Sequence, residues 1–275
     1  MTTRFPVLFI SHGGGPWPYV DSLKQMYVRT ERELRRLPER LPMRPKAVLV
    51  ISGHWEAPNF SVATGARPPM AYDYSGFPAH TYEIRYAAPG DPALADKARR
   101  LIAGAGLTVV ADPGRGFDHG VFVPLSLMYP KADVPIVMAS IHSGYDPRDH
   151  LALGRALAPL RDDGVLIVGS GLTYHNMRGF NRDGSTGDAE AFTRYLNEAI
   201  SLEDAHERDE RLIHWESAPR ARSAHPREDH LMPLLVAVGA AGGDAGKVLF
   251  TEQVMKIPMT SYGFGEIGGD GQARG

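Results

Sequence analysis

The sequence predicts a single α/β domain in which a central, mostly parallel sheet is flanked by helices. Three observations predict it. Short continuous apolar runs, several rich in β-branched residues, read as strands buried on both faces. Segments of helical periodicity lie between them, and that alternation belongs to sheets wrapped by helices. No break in composition divides the 275 residues, a length that one α/β unit accommodates.

The elements follow in order. The first strand is Val7–Ile10, followed at once by His12 and the glycines Gly13, Gly14 and Gly15. The Pro-rich stretch 37–45 reads as a connection into a second strand, Ala47–Ile51. A helix follows Asp91-Pro92, with Leu94, Ala98, Leu101 and Ile102 on one face and Gly104 near its end. Strands are expected at Thr108–Ala111 and Pro135–Ile141. The helix after Asp146-Pro147 has an Asp cap and Pro at its first helical position. Val165–Val168 is the next strand. Ala189, Phe192, Leu196 and Ala199 then recur at helical spacing, and the charge run Glu203–Arg211 reads as a solvated helix face. A helix after His225-Pro226 carries Leu231, Leu234, Leu235 and Val238, and Val248–Phe250 is the last expected strand. The folded unit is thus expected over 1–265, with a flexible glycine-rich tail over 266–275.

Composition excludes several classes of function. A formal net charge of −2 gives no field that attracts nucleic acid or an anionic membrane. No cysteine is present, so disulfides, iron–sulfur clusters and thiolate metal sites are excluded, and any metal must rest on His, Asp or Glu. The apolar run near the start is too short for the core of a signal peptide, and no window approaches the roughly 20 apolar residues that span a membrane. A cytoplasmic protein is the expectation.

The placement of the 11 histidines is the most informative pattern. His12, His54 and His175 each follow an expected strand, and in open α/β sheets ligands bind beyond the carboxyl ends of strands. His119 lies in the loop Phe117-Asp118-His119-Gly120, and His230 in the first turn of the helix after Pro226. Neutral imidazole suits zinc, copper, iron and nickel. One histidine at a strand end is more often a hydrogen-bonded turn residue than a ligand. Five at such boundaries, beside glycines, leave a metal site and a set of turn residues equally open. His80, His142, His150, His206 and His214 read as structural or surface residues, and His225 as lying outside the helix and away from the face of His230. The triglycine lacks a following Gly-Lys-Ser/Thr, so it is not a phosphate loop. Gly169-Ser170-Gly171 is not a nucleophile elbow.

Seven motifs occur in a telling order. They are Ser11-His12-Gly13-Gly14, Ser52-Gly53-His54-Trp55-Glu56, Phe77-Pro78-Ala79 with Tyr82-Glu83-Ile84-Arg85-Tyr86, and Phe117-Asp118-His119-Gly120, then Val123-Pro124-Leu125 with Met128-Tyr129-Pro130, Tyr174-His175-Asn176 with Arg178, and 225–231 from His225 to Leu231. From about Phe5 to Gly263 the chain resembles the DOPA-type branch of the class III extradiol ring-cleavage dioxygenases. The resemblance implies one α/β domain with a mononuclear metal at the carboxyl end of the strands. It implies Fe(II) as the catalytic metal, with zinc an alternative occupant of the isolated protein. By motif, His12, His54 and His230 are implied as ligands, and His175 and His119 as acid–base residues. The substrates implied are a small aromatic diol, DOPA-like or related, and O2, and a homodimer is compatible with the pattern. Better-known members of the wider superfamily use two histidines and a glutamate, which leaves Glu228 as the alternative to His230. His175 as a fourth ligand is a second alternative. A zinc-dependent hydrolase on the same residues and a non-enzymatic scaffold of the same superfold are the competing functions.

Overall fold

The computed structural model describes residues 4–180 and 182–269. In chain order the strands and α-helices are β1 Val7–Ser11, α1 Asp21–Lys24, α2 Val28–Arg40, β2 Ala47–Ala57, β3 Phe60–Ala63, α3 Pro92–Gly104, β4 Val109–Asp112, α4 His119–Met128, β5 Ile136–His142, α5 Pro147–Leu157, β6 Val165–Gly171, α6 Ser185–Ile200, α7 Ala205–Ile213, α8 Ala221–Ala224, α9 Met232–Ala241, β7 Gly246–Val254 and β8 Ile257–Phe264. The strands form one sheet in the order β4-β3-β5-β2-β6-β1-β8-β7. Its centre, β5-β2-β6-β1, is parallel throughout. The antiparallel β8 and β7 close one side, and β3 meets β5 through the antiparallel pair Val62 and Ala139. The expected α/β architecture is what the chain adopts.

The central strand explains how the layers meet. Every residue of β6 is buried, and successive side chains on a strand point to opposite faces. On one face, a Cβ added at Gly169 would lie 2.2 Å from the carbonyl oxygen of Pro233, and one at Gly171 would lie 2.2 Å from that of His230. The backbone leading into α9 therefore rests directly on the strand, and Leu172 N–H donates to the His230 carbonyl at 3.1 Å. On the other face, the Ser170 hydroxyl donates to the Gly120 carbonyl in α4. Register sets Ser11 beside Gly171 and Ser52 beside Ser170, so β1 and β6 end level with each other, where β2 passes Ser52 and runs on towards His54.

Several elements depart from the sequence expectation. The stretch expected as a connection from residue 37 is still helical to Arg40, with Pro38 inside α2. Its buried Thr30, Glu33, Leu34 and Leu37 keep helical spacing inside a mainly charged sequence, which hides the period. The apolar segment after Asp118 is a helix, α4, buried at nearly every position and so without a polar face to reveal its turn. His230 is not in a helical turn: α9 starts at Met232, with Pro233 in its first turn, and the segment before it is a series of turns. The charge run is indeed helical, but Arg208 and Asp209 are buried rather than solvated. The Arg208 guanidinium donates to the carbonyls of Asp244, at 2.8 Å, and Gly242, which closes the end of α9.

The expected tail begins packed. Ile267 is buried, its carbonyl accepts from Lys247 Nζ at 2.9 Å, and Gly268 exchanges bonds with Arg40. The remainder of that tail, 270–275, lies outside the described residues. No helix among the described residues is long and apolar enough to cross a membrane.

Candidate active site

Five histidines meet beyond the carboxyl end of the parallel strands. His12 follows β1, and its backbone N–H still pairs with the Gly171 carbonyl at 3.2 Å. His54 sits within the irregular end of β2, where the pairing with β5 shifts register between Ile51 and Glu56. His230 arrives on the loop that lies against Gly171. His119 opens α4, and His175 follows β6, its backbone N–H bonded to the Ala224 carbonyl at 2.9 Å. His12, His119 and His230 are buried; His54 and His175 are partly open.

The ring nitrogens divide cleanly. His12 Nδ1 is 3.0 Å from Ser170 Oγ. The serine hydrogen is already committed to the Gly120 carbonyl, so the serine oxygen accepts and His12 carries its hydrogen on Nδ1. His230 Nδ1 donates to Asp229 Oδ2 at 2.9 Å, and His54 Nδ1 lies 3.2 Å from Asp73 Oδ2. Nε2 of His12 and of His230 is thereby left as a lone pair, and that of His54 is too when its Nδ1–H faces Asp73. They converge: His54 Nε2 is 3.1 Å from His12 Nε2 and 3.1 Å from His230 Nε2. Facing lone pairs at such distances repel unless a cation lies between. Burial, followed by the neighbouring imidazoles, pushes His12 and His54 well below the ordinary histidine range. Burial also lowers His230, to about 4, against the opposing pull of Asp229. Neutral imidazoles with bonded far nitrogens are what a metal site needs, so the residues fit the metal that the resemblance implies.

The two remaining histidines share the same carboxylates. Asp73 receives His119 Nδ1 at 2.9 Å as well as His119 N–H at 3.0 Å, and Asp229 Oδ1 lies 3.3 Å from His175 Nδ1. Each carboxylate thus holds one member of the convergent trio and one histidine outside it. Burial opposes ionisation of both acids, but their histidine hydrogen bonds win and hold them below the usual carboxylate range. The His175 ring stacks on His230 with centroids 3.5 Å apart, and the His54 and His119 centroids are 4.0 Å apart.

Sequence reasoning named all five histidines, and the structure brings all five together. Glu228 does not join them: it pairs with Arg222 at 2.7 Å. His175 shares a cluster with Asp229 and His230 but not with His12 and His54. His225 is buried between Phe192 and Trp215, apart from the trio, as expected. His150 is fully buried near the end of β5. Asp73, Asp229 and Ser170 were missed as partners. Only Asp229, next to His230, left a local signal, because the other two partnerships span 19 to 158 residues and are made by the fold.

A cavity of about 480 Å³ opens over the imidazoles. Gly13, Gly14 and Gly15 form part of its wall, and Gly13 and Gly15 adopt φ of 83° and 55°, which favour glycine. The loop before α4 is fixed by the buried Asp118, which accepts from Ser52 Oγ at 2.8 Å and from Arg115.

Comparison with known proteins adds a family. Residues 6–266 match the model of the catalytic LigB subunit of aromatic ring-opening dioxygenase. The 4,5-DOPA dioxygenase extradiol of Beta vulgaris is 42% identical over 85% of this chain and 86% of that protein. The protein of the same name from Escherichia coli K12 is 35% identical over 97% of this chain and 93% of its own. Dioxygenase tasH of Hapsidospora irregularis is 36% identical, covering 94% and 85%. Among solved structures, an uncharacterized protein from Escherichia coli K12 superposes with a TM-score of 0.77 at 30% identity, over 95% of this chain and 100% of that one.

Proposed function

Because the chain belongs to the LigB family of aromatic ring-opening dioxygenases, we propose that it opens a catechol-type ring beside its diol, with Fe(II) held by His12, His54 and His230 and protons moved by His175 and His119. The family makes it an aromatic ring-cleavage dioxygenase, with O2 and an aromatic compound as substrates. That removes the hydrolase and scaffold readings. The observation that carries the finer proposal is the convergence of three Nε2 atoms, with Nδ1 of His12 and His230 hydrogen-bonded and that of His54 3.2 Å from Asp73 Oδ2. Residues 1–265 are read as the catalytic unit.

Ferrous iron at the three imidazoles would supply the redox chemistry that couples dioxygen to the diol, which zinc, lacking redox states, would not. The protein's share is proton handling and orientation. His175 and His119 each spend Nδ1–H on a carboxylate, which turns Nε2 towards the cavity as an acceptor. One accepts a phenolic proton as the diol binds, and its carboxylate neighbour stabilises the resulting imidazolium. The proton then returns as the ring opens. The product retains both oxygen atoms of O2 as an unsaturated acid semialdehyde.

The test is anaerobic reconstitution with Fe(II) or Zn(II), followed by oxygen uptake and product spectra with catechols. Uptake confined to the iron form, with a yellow product, is expected. Equal uptake by the zinc form would defeat the metal assignment. His175→Ala should retain metal and lose ~10²–10⁴-fold in turnover, whereas severe metal loss in that variant would make His175 a ligand.

A further inference from the structure

We propose that the ring accepted here carries an uncharged, apolar substituent, and that a carboxylate bonded to the ring is selected against. This rests on the dioxygenase reading above and adds the substrate class to it. The cavity has two unlike ends. Five histidines make the end that would meet a diol. Beyond the glycines, the rest of the wall is mainly apolar or aromatic: Leu23 and Met26 near α1, Phe77 before α3, Met177 and Phe180 after β6, and Met255 and Met259 on the β7–β8 hairpin. Among the described residues that line it, none is Asp, Glu, Lys or Arg.

The tyrosines of the wall bring no charge. Tyr74 donates its hydroxyl to the Thr81 carbonyl at 2.5 Å, and Tyr27 accepts from Gly14 N–H at 3.0 Å. A carboxylate on the ring would lose water and find no cation in this wall, and an unpaired charge is costly to desolvate. Arg182 and Lys256 do line a cleft of about 160 Å³ that adjoins the cavity, but they share it with Asp183. Met255 belongs to both walls, so a group bonded directly to the ring would have to pass it to meet them. Methionine suits the opposite role, because its unbranched thioether adapts to apolar groups of varied shape. Met177 is 69% exposed and Met255 36%. Methionines in these places make the mouth of the cavity apolar.

The experiment compares 4-methylcatechol with 3,4-dihydroxybenzoate on the iron-loaded enzyme, by kcat/KM from oxygen uptake and by binding titration under argon. The expected preference for 4-methylcatechol is at least about 10-fold in both readouts. Met177→Arg, at an exposed position, should narrow that ratio by placing a cation at the rim. Equal or better binding of 3,4-dihydroxybenzoate by the wild type would overturn the proposal. A binding preference for 4-methylcatechol without oxygen uptake from either compound would uphold the apolar pocket and defeat the ring-cleavage reading, so the two failures are distinguishable.

Discussion

Each imidazole of the trio has an oxygen near its far nitrogen, and two of those oxygens belong to carboxylates that also bond a second histidine. Asp229 therefore acts twice, on His230 at 2.9 Å and on His175 at 3.3 Å. Asp229→Asn retains the shape but has one acceptor oxygen where two were used. The expected result is ~10–100-fold weaker metal affinity, together with a fall in turnover when metal is restored in excess. Chelator competition reads the first effect and metal-saturated kinetics the second. Wild-type values for both would show that Asp229 orients neither ring. The histidines were legible because they sit at element ends beside glycines, a pattern local in sequence. Asp73 and Ser170 were not, because what makes them matter is a neighbour supplied by another part of the chain. Nothing in the order Tyr72-Asp73-Tyr74 distinguishes that aspartate from any turn residue.

At the level of elements, the site depends on how closely α9 approaches β6. A methyl group at residue 171 would collide with the His230 carbonyl, which is main chain and cannot rotate away. Gly171→Ala must therefore push the 225–231 loop off the strand. Overpacking of this kind typically costs about 1–3 kcal/mol. The expected signature is a lower urea midpoint together with weaker metal binding, since the displaced residue is itself a proposed ligand. A stable variant with full metal content would mean that the loop accommodates the methyl elsewhere. Reading of the elements from sequence succeeded where burial on both faces left unbroken apolar runs, as in β2 and β6. It failed at α4, whose apolar character is uniform, and at α2, whose few buried positions lie among charges. The start of α9 was set early because Pro226 resembles a first-turn proline, whereas Pro233 fills that role.

For the molecule as a whole, buried neutral histidines tie stability to pH. His150 donates from Nδ1 to the Asp146 carbonyl at 2.7 Å and accepts at Nε2 from His142 N–H at 3.1 Å, so its two partners require the neutral ring. Burial lowers its pKa to about 4, and burial lowers that of His225 to about 3. The unfolded chain takes up these protons near 6.5, the ordinary value, and the folded chain only far below it. Between those limits the unfolded state binds more protons, so stability is complete above about pH 6.5 and falls as pH drops towards 4. Each group accounts for a loss on the order of 2 kcal/mol at pH 5. Urea unfolding of metal-free protein at pH 7.5 and 5.0 should show the midpoint falling with pH, and an unchanged midpoint would contradict the account. The contact between β6 and the chain before α9 also bears on inheritance. Main chain touching main chain offers no rotamer for a compensating substitution to adjust. Residues 169 and 171 are thus closed to gradual change, while the methionine rim is open to it. In a library randomised at both places and selected for ring cleavage, survivors should be almost all glycine at 169 and 171 but diverse at 177, so new substrates would be reached from the mouth while the metal-bearing floor stays as it is.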